Sequence, residues 1–382
     1  MRIVHTNIGV YPERGGPPSV IVNLAAAQAR AGHTVGIITA ESKPSVTDAV
    51  RQMLNRISGG DLVSLRAVPL PSVFQSLFGS AAFLIDEPVD FVHIHELWNP
   101  FDAFVARSCR CRNIPYAVTV HGLLSPLRRR VKWLKKRLAR FMYVDRMLRS
   151  AHFVQALTMH ECQEVRSLVP DACVRMVSNG FSLSSRKVLE LPRPASLTRV
   201  KTPFILFMSR LHIMKGVDLL VPAFQKVANS IPDLDLVIAG PNDGARDLIE
   251  DATKNSSVSD RIHLVGMVDG DTKNWLLTNA VLFLLPSRDE GFSVAILEAL
   301  ASGLPAVLTP GCHFPEAVSA GAALQVPLQP NLIAEALISI AVNPVARCQM
   351  SKAARKLATE NYSWDHIAAQ IVDCYQQKAH RP

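Results

Sequence analysis

Residues 287–307 read SRDEGFSVAILEALASGLPAV, and the fold turns on how this stretch is parsed. Val294 to Leu300 leaves almost no polar face, so the segment reads as a buried helix, and Gly303 and Pro305 stop it in the usual order. AVLFLLPS (280–287) precedes it and PAVLTP (305–310) follows; both are apolar runs of strand length. Strand, helix and strand in so few residues imply a parallel crossover, and strands covered on both faces read as unbroken apolar runs. Two carboxylates interrupt the pattern: Glu298 inside the helix, and Glu290 eight residues earlier.

The alternation continues upstream. PFILFMSR, LDLVIAG and RIHLVG are strands, separated by helices near 217–228, 246–253 and 271–278. A second run lies nearer the N-terminus, with strands at 3–9, TVGIITA, LVSLRAVPL, DFVHIH, YAVTV, HFVQALT and VRMVSNG and helices between most of them. Between the two runs, SLSSRKVLELPRPASLTRVKTP is polar and proline-rich. The expected architecture is α/β, with two doubly wound, Rossmann-like domains facing a central cleft. They span 1–180 and 203–360, joined by a linker over 181–202, and a C-terminal helical segment over 361–382 packs back on the first domain.

Composition narrows the class. The 382 residues are 48% hydrophobic and 19% charged, as in a globular protein. No apolar run approaches the ~18 residues that span a bilayer; the longest, Phe292 to Leu308, contains Glu298. The opening MRIVHTNIGVYPERGG has no signal-peptide core. Seven scattered cysteines without a C-x-x-C pair imply reduced thiols and no metal site. A cytoplasmic location is expected.

The net charge of +9 is local. Between Arg128 and Arg149, ten basic residues face one acid, Asp145, so this segment alone sums to +9 and the rest of the chain to zero. Within it Val131, Leu134, Leu138, Phe141, Met142 and Leu148 recur at helical spacing. Arg128, Arg129, Lys132, Trp133, Lys135 and Lys136 would suit an anionic membrane surface. The same pattern also describes a helix packed by its apolar stripe with a solvated basic face. A nucleic-acid partner is the reading that a pI near 9.3 invites. Confinement of the charge to one amphipathic segment, without a recognised nucleic-acid module, argues against it.

Three loops at strand C-termini carry candidate chemistry. Arg14-Gly15-Gly16-Pro17 precedes a helix, where backbone N–H groups can meet a phosphate; by itself it reads first as an ordinary turn. MSRLHIMKG (208–216) sets Arg210 and Lys215 at a strand end, a fork and a point charge suited to a diphosphate, or else two solvated surface charges. In the third, Gly291, Phe292 and Ser293 stand where a helix begins and free N–H groups favour an anion. Glu298 can reach a ligand lying across that terminus, and a carboxylate accepts vicinal hydroxyls well; the alternative is a glutamate held by an internal arginine.

Taken together and in order, these loops resemble the retaining glycosyltransferases of family 4 (group 1), of GT-B architecture. The resemblance rests on R-x4-K at Arg210 and Lys215 and E-x7-E at Glu290 and Glu298 within EGFSVAILEALASGLPAV. The Gly-Gly loop, VHG (120–122), SNG (178–180) and YSWDHIAAQ fall in the family's order. It implies a metal-independent hexosyltransferase without a cofactor, whose first domain binds an acceptor and whose second binds a GDP- or UDP-linked sugar, mannose being favoured. By the same resemblance Arg210 and Lys215 hold the diphosphate with the Phe292 and Ser293 amides, Glu298 binds the ribose, and Glu290 contacts the sugar or the developing charge at the reacting centre. The base lies near Gly266 and Met267, Gly16 belongs to the donor set, and His121 reaches the transferred sugar. His95 and Trp98, in HELWNPFDAF, are acceptor-side candidates. The implied acceptor is a saccharide or lipid-linked saccharide of bacterial surface polysaccharide synthesis, with the enzyme peripheral at the inner membrane face. A GT-B nucleotide-sugar epimerase is the rival enzyme.

Overall fold

The computed structural model describes residues 1–9, 16–40, 43–58, 60, 62–67, 88–181, 191–268 and 270–377. Arg14 and Gly15 of the first loop, residues 182–190 of the expected linker and 378–382 of the C-terminal segment lie outside them. The chain divides into two compact units, Met1–Gly180 with Ser363–Pro382, and Phe181–Tyr362.

The first unit is built on a seven-stranded sheet of order β3-β2-β1-β4-β5-β6-β7. Its strands are β1 (Arg2–Asn7), β2 (Thr34–Thr39), β3 (Val63–Ala67), β4 (Phe91–His95), β5 (Tyr116–Thr119), β6 (Phe153–Ala156) and β7 (Val174–Met176), all parallel. Helices α1 (Pro17–Arg30), α2 (Pro44–Ser58), α3 (Pro100–Cys111), α4 (Pro126–Arg130), α5 (Trp133–Ala139), α6 (Asp145–Ser150) and α7 (Met159–Leu168) intervene. β4, β5 and β6 are buried along their whole length, as strands covered on both faces must be.

The second unit carries a six-stranded parallel sheet, β10-β9-β8-β11-β12-β13. Its strands are β8 (Phe204–Met208), β9 (Asp235–Ala239), β10 (Ile262–Gly266), β11 (Leu282–Leu285), β12 (Ala306–Leu308) and β13 (Ala323–Gln325). The helices that matter below are α8 (Leu220–Ser230), α9 (Arg246–Lys254), α10 (Gly270–Asn279) and α11 (Val294–Ala301). After α12 (Pro315–Ser319), α13 (Pro330–Ala341) and α14 (Pro344–Asn361) complete the unit. Residues 191–202 are part of this unit rather than a free linker: Leu197 and Val200 are buried in its core. Proline-rich composition marks an irregular path, not a solvated one.

The last helix, α15 (Trp364–Gln376), belongs to the first unit. Trp364, Ile367, Ile371 and Tyr375 pack with Val20 and Leu24 of α1 and with Phe91 and Phe153 of the sheet. Each fully buried side chain of this kind is worth about 1.5–3 kcal/mol. Gly180 is required here, because a Cβ would lie 2.7 Å from the Trp364 ring.

In each sheet the strand order reverses direction next to the first strand, between β1 and β4 and between β8 and β11. Such a switch point splays the loops at the strand C-termini and leaves a crevice for a ligand. Among the described residues no single helix is long and apolar enough to cross a membrane.

Candidate active site

In the second unit the loops that meet at the switch point bring Lys215 and Glu290 together. After β8 the chain passes Arg210 and makes a short 3-10 turn, Ile213–Lys215, closed by Gly216 at φ 69°. A Cβ on Gly216 would stand 1.9 Å from the Pro286 carbonyl oxygen, so this glycine lets the loop after β8 lie against the loop after β11. The Met214 carbonyl accepts from the Ser287 hydroxyl (2.9 Å) and the Arg288 amide (2.8 Å). Arg288 then grips Asp218 with two nitrogens, at 2.8 and 2.7 Å.

This bracing brings Lys215 and Glu290 together. Their charged atoms are 2.5 Å apart and the side chains are only 8% and 6% exposed. Glu290 is held from behind by its amide on the Gly311 carbonyl at 2.8 Å. Its Oε1 is buried and has no hydrogen-bond partner among the described residues. An ionised carboxylate accepts several hydrogen bonds, so half of this group's capacity is unspent where water is excluded.

Glu298 does not meet Glu290. Ser293 caps α11, its hydroxyl accepting from the Ile296 amide at 3.4 Å, and Glu298 lies over a turn inside, bonded to Lys273 of α10 at 2.7 Å. The charge in the apolar helix is therefore neutralised by a lysine that sequence spacing does not reveal. Arg210 is half exposed and paired with Asp243, on the loop after β9. Phe292 packs edge-on to Phe314, next to Gly291. Gly266 ends β10 at φ 73° and accepts the Gly240 amide at 2.7 Å, while Met267 is 56% exposed beside it.

The first unit presents His121 on the turn after β5, with φ 48°. A non-glycine residue in this region costs on the order of 1 kcal/mol or more. The turn is closed by the Leu123 amide on the Val120 carbonyl at 3.0 Å. Buried Glu161 of α7 lies behind it, accepting from the Leu157 amide at 2.7 Å. Burial raises its carboxyl to about 7.

His95, expected on the acceptor side, has no exposed surface. Its Nε2 lies 3.0 Å from His5 Nδ1 and its Nδ1 3.2 Å from His121 Nε2, so it stands behind His121. Trp98 is half-buried and donates to the Leu123 carbonyl at 3.2 Å. Desolvation holds His121 down to about 3 and His5 to about 4, with His93 and His95 also well below the usual imidazole range. The sequence signal for this cluster was the H-x-H of DFVHIH, where two polar residues occupy one face of a buried strand.

Gly16 is the N-cap of α1 at φ 62°, but Pro17 and Pro18 follow. Two of the amides that a helix start offers to an anion are thereby missing.

The basic segment is not one regular helix. It breaks at Val131 and Lys132, with Lys132 at φ 55°, and α5 passes into α6 through a π turn, Arg140–Val144. Val131, Trp133, Leu134, Leu138, Phe141 and Met142 are exposed, Phe141 to 90%, whereas Val144, Met147 and Leu148 are buried. The extra residue of the π turn lets an outward apolar stripe on α5 give way to an inward one on α6. Lys136 points inward as well: its ammonium donates to the Arg128 carbonyl at 2.6 Å and lies 5.2 Å over the Trp98 ring. Arg128 and Arg129 are half-buried, leaving Arg130, Lys132, Lys135 and Arg137 as the exposed cations beside the apolar stripe.

Comparison with known proteins fits this layout. The family described as glycosyl transferases group 1 matches residues 190–357, and the glycosyl transferase 4-like domain matches residues 15–180. An uncharacterized glycosyltransferase of Methanocaldococcus jannaschii is 26% identical over 96% of both chains. The phosphatidylinositol N-acetylglucosaminyltransferase gpi3 subunit of Schizosaccharomyces pombe is 23% identical over 96% of this chain and 78% of its own. Among solved structures, an Anabaena protein crystallised with UDP and glucose superposes with a TM-score of 0.73 at 17% identity, covering 98% of each chain. With both units matched and the doubly wound sheets in place, the chain belongs to the group 1 glycosyltransferases of GT-B architecture.

Proposed function

We propose that this protein transfers a hexose, with retention at the anomeric carbon and without a metal ion, from a nucleoside-diphosphate sugar to a saccharide or lipid-linked saccharide. The observation that carries the reading is the buried Lys215–Glu290 pair at the β8/β11 switch point, with Glu290 Oε1 left unpartnered. That oxygen is suited to a sugar hydroxyl, and Lys215 to the adjoining phosphate. Arg210, exchanging Asp243 for the diphosphate, adds a second fixed cation. The amides of Phe292 and Ser293 supply partial positive charge at the start of α11. Glu298, oriented by Lys273, takes the ribose hydroxyls, and Gly266 with Met267 borders the base.

The chemistry asks for little more than this. The anomeric C–O bond to phosphate breaks, a bond to the acceptor oxygen forms on the same face, and the acceptor proton passes to the departing phosphate. Negative charge grows on the leaving diphosphate, and preorganised cations stabilise it. His121 meets the sugar from the first unit. GDP-mannose is the favoured donor, UDP-hexoses the next. A lipid-linked acceptor is supported by the exposed apolar and basic face of α5 and by the phosphatidylinositol named in the yeast relative. Bacterial surface polysaccharide synthesis at the inner membrane face is the proposed setting.

Thermal unfolding with UDP, GDP, ADP and CDP and their hexose conjugates, in EDTA, tests the donor site. A ligand bound only by the native state raises stability, by about 2.7 kcal/mol at one hundred times Kd. A shift with one nucleoside diphosphate, abolished in Lys215→Ala, is expected. Equal shifts in wild type and Lys215→Ala would remove this assignment.

A further inference from the structure

Four histidines, two glutamines, a threonine and a tyrosine in the first unit form one unbroken hydrogen-bonded chain, and its direction is set at one end. Register explains how they meet: His5 is paired with His93 across β1 and β4, His95 with Thr119 across β4 and β5, and Thr119 with Gln155 across β5 and β6. Paired residues in a parallel sheet point to the same face, so four strands contribute one polar row. Gln28 of α1 and Tyr375 of α15 close over it.

The end that sets the direction is the Val177 carbonyl, which can only accept. Gln155 must therefore turn its amide nitrogen to it (2.8 Å) and its oxygen to Thr119 Oγ1 (2.8 Å). The Thr119 hydroxyl spends its one proton on that oxygen, so it accepts from His93 Nε2–H (2.6 Å). His93 Nδ1 is then a bare acceptor and takes the Tyr375 hydroxyl proton (2.7 Å). Tyr375 in turn accepts from the Gln28 amide nitrogen (3.4 Å), which presents the Gln28 oxygen to His5 (2.7 Å).

From there the choice is forced twice more. His5 carries its proton on Nε2 and accepts at Nδ1 from His95 Nε2–H. His95 accepts at its own Nδ1 from His121 Nε2–H. The deduction needs neutral rings, and burial supplies that condition, since all four imidazoles are held well below their usual range. Both ring nitrogens of His5, His93 and His95 are used within the chain.

We infer that this chain locks His121 as the Nε2–H tautomer, leaving Nδ1 as a bare lone pair that accepts from a substrate hydroxyl, with Gln28 and Tyr375 as positioning residues. The functional part rests on the proposal that His121 faces the transferred sugar; the tautomer assignment does not. A ring free to place its proton on either nitrogen would meet that hydroxyl with an N–H in part of the population, where no acceptor is offered. The device also gives α15 a role besides packing, because Tyr375 lies 282 residues from the His93 it serves.

Protein labelled with 15N in the histidine rings tests this directly, because long-range proton–nitrogen correlations distinguish Nδ1–H, Nε2–H and charged imidazole. At pH 7.5 the wild type is expected to show His5, His93, His95 and His121 all neutral with the proton on Nε2. An Nδ1–H or charged form at His5, His95 or His121 overturns the inference. Tyr375→Phe keeps the ring in the core and removes only the hydroxyl; Gln28→Met keeps the volume and removes both polar atoms. In each, His121 is expected to become a mixture of tautomers, and a pure Nε2–H signal in both would overturn the lock. Hydrolysis of UDP-glucose and GDP-mannose probes separates the two readings. If His121→Ala hydrolyses both at the wild-type rate, the sugar-facing role falls while the tautomer result stands.

Discussion

Lys215 and Glu290 are worth separating from their charges. Removing one partner strands the other in a dry site and typically costs about 3–5 kcal/mol, whereas replacing both with apolar residues of similar size is often neutral or stabilising. Lys215→Ala and Glu290→Ala are therefore each expected to lower unfolding free energy by that amount. Lys215→Met with Glu290→Leu should recover most of it in denaturant titrations, yet lose sugar transfer by at least a hundredfold. Wild-type turnover in the double variant would sink the catalytic assignment. The spacing of these residues was legible in the chain because each sits on a short loop at a strand end. Asp243, Lys273 and the Arg288–Asp218 clamp were not, since each meets its partner across 25 to 70 residues of sequence.

The basic segment shows how one periodicity conceals two environments. Leu134 and Leu148 fall in the same apolar register by spacing, but one is 63% exposed and the other 1%. Leu148→Ala should cost about 2–5 kcal/mol of stability. Leu134→Ser and Phe141→Ser should change it by no more than about 0.5 kcal/mol while reducing binding to vesicles of anionic lipid at least tenfold in co-sedimentation. Lys132→Glu with Lys135→Glu and Arg137→Glu should do the same, most strongly at low salt. Undiminished binding in both sets would return the α5 face to the status of an ordinary surface. Lys136 is left out because its ammonium is already spent on the Arg128 carbonyl and the Trp98 face.

Across the molecule, buried titratable groups of the first unit pull stability in opposite directions as pH changes. His5 titrates near 4 in the native state against 6.5 when unfolded, so below 6.5 the unfolded chain binds more protons and stability falls, at up to about 1.4 kcal/mol per pH unit. His121, His93 and His95 act with it. Glu161 opposes them: its native value near 7 exceeds the unfolded 4.5, so the native state holds the extra proton and loses that stability as pH rises from 4.5 to 7. Asp102 and Glu96, also raised by burial, share its sign. Glu161→Gln keeps an acceptor for the Leu157 amide and removes the titration. Its stability relative to wild type is expected to improve by up to about 3 kcal/mol between pH 5 and pH 8. The variant should also lose stability more steeply than wild type as pH falls below 6.5. A constant difference from wild type across that range would show that the native carboxyl titrates normally.

Apolar runs of strand length alternating with helical periodicity were sufficient to establish two parallel, doubly wound sheets, because such strands must be covered on both faces. Loop residues at the ends of those strands pointed to the donor chemistry for the same local reason. What surrounds them was decided only in three dimensions. The oxygen of Glu290 that stays unpartnered, the lysine that neutralises Glu298 and the turn of the apolar stripe at Arg140–Val144 all depend on which segments pack together. The histidine chain is the clearest case. DFVHIH signals a polar face inside a buried strand, but the proton on His121 is dictated by a carbonyl at Val177, through partners on four strands and two helices. Hydrogen-bond direction is a property of a closed network, and only tertiary structure closes it.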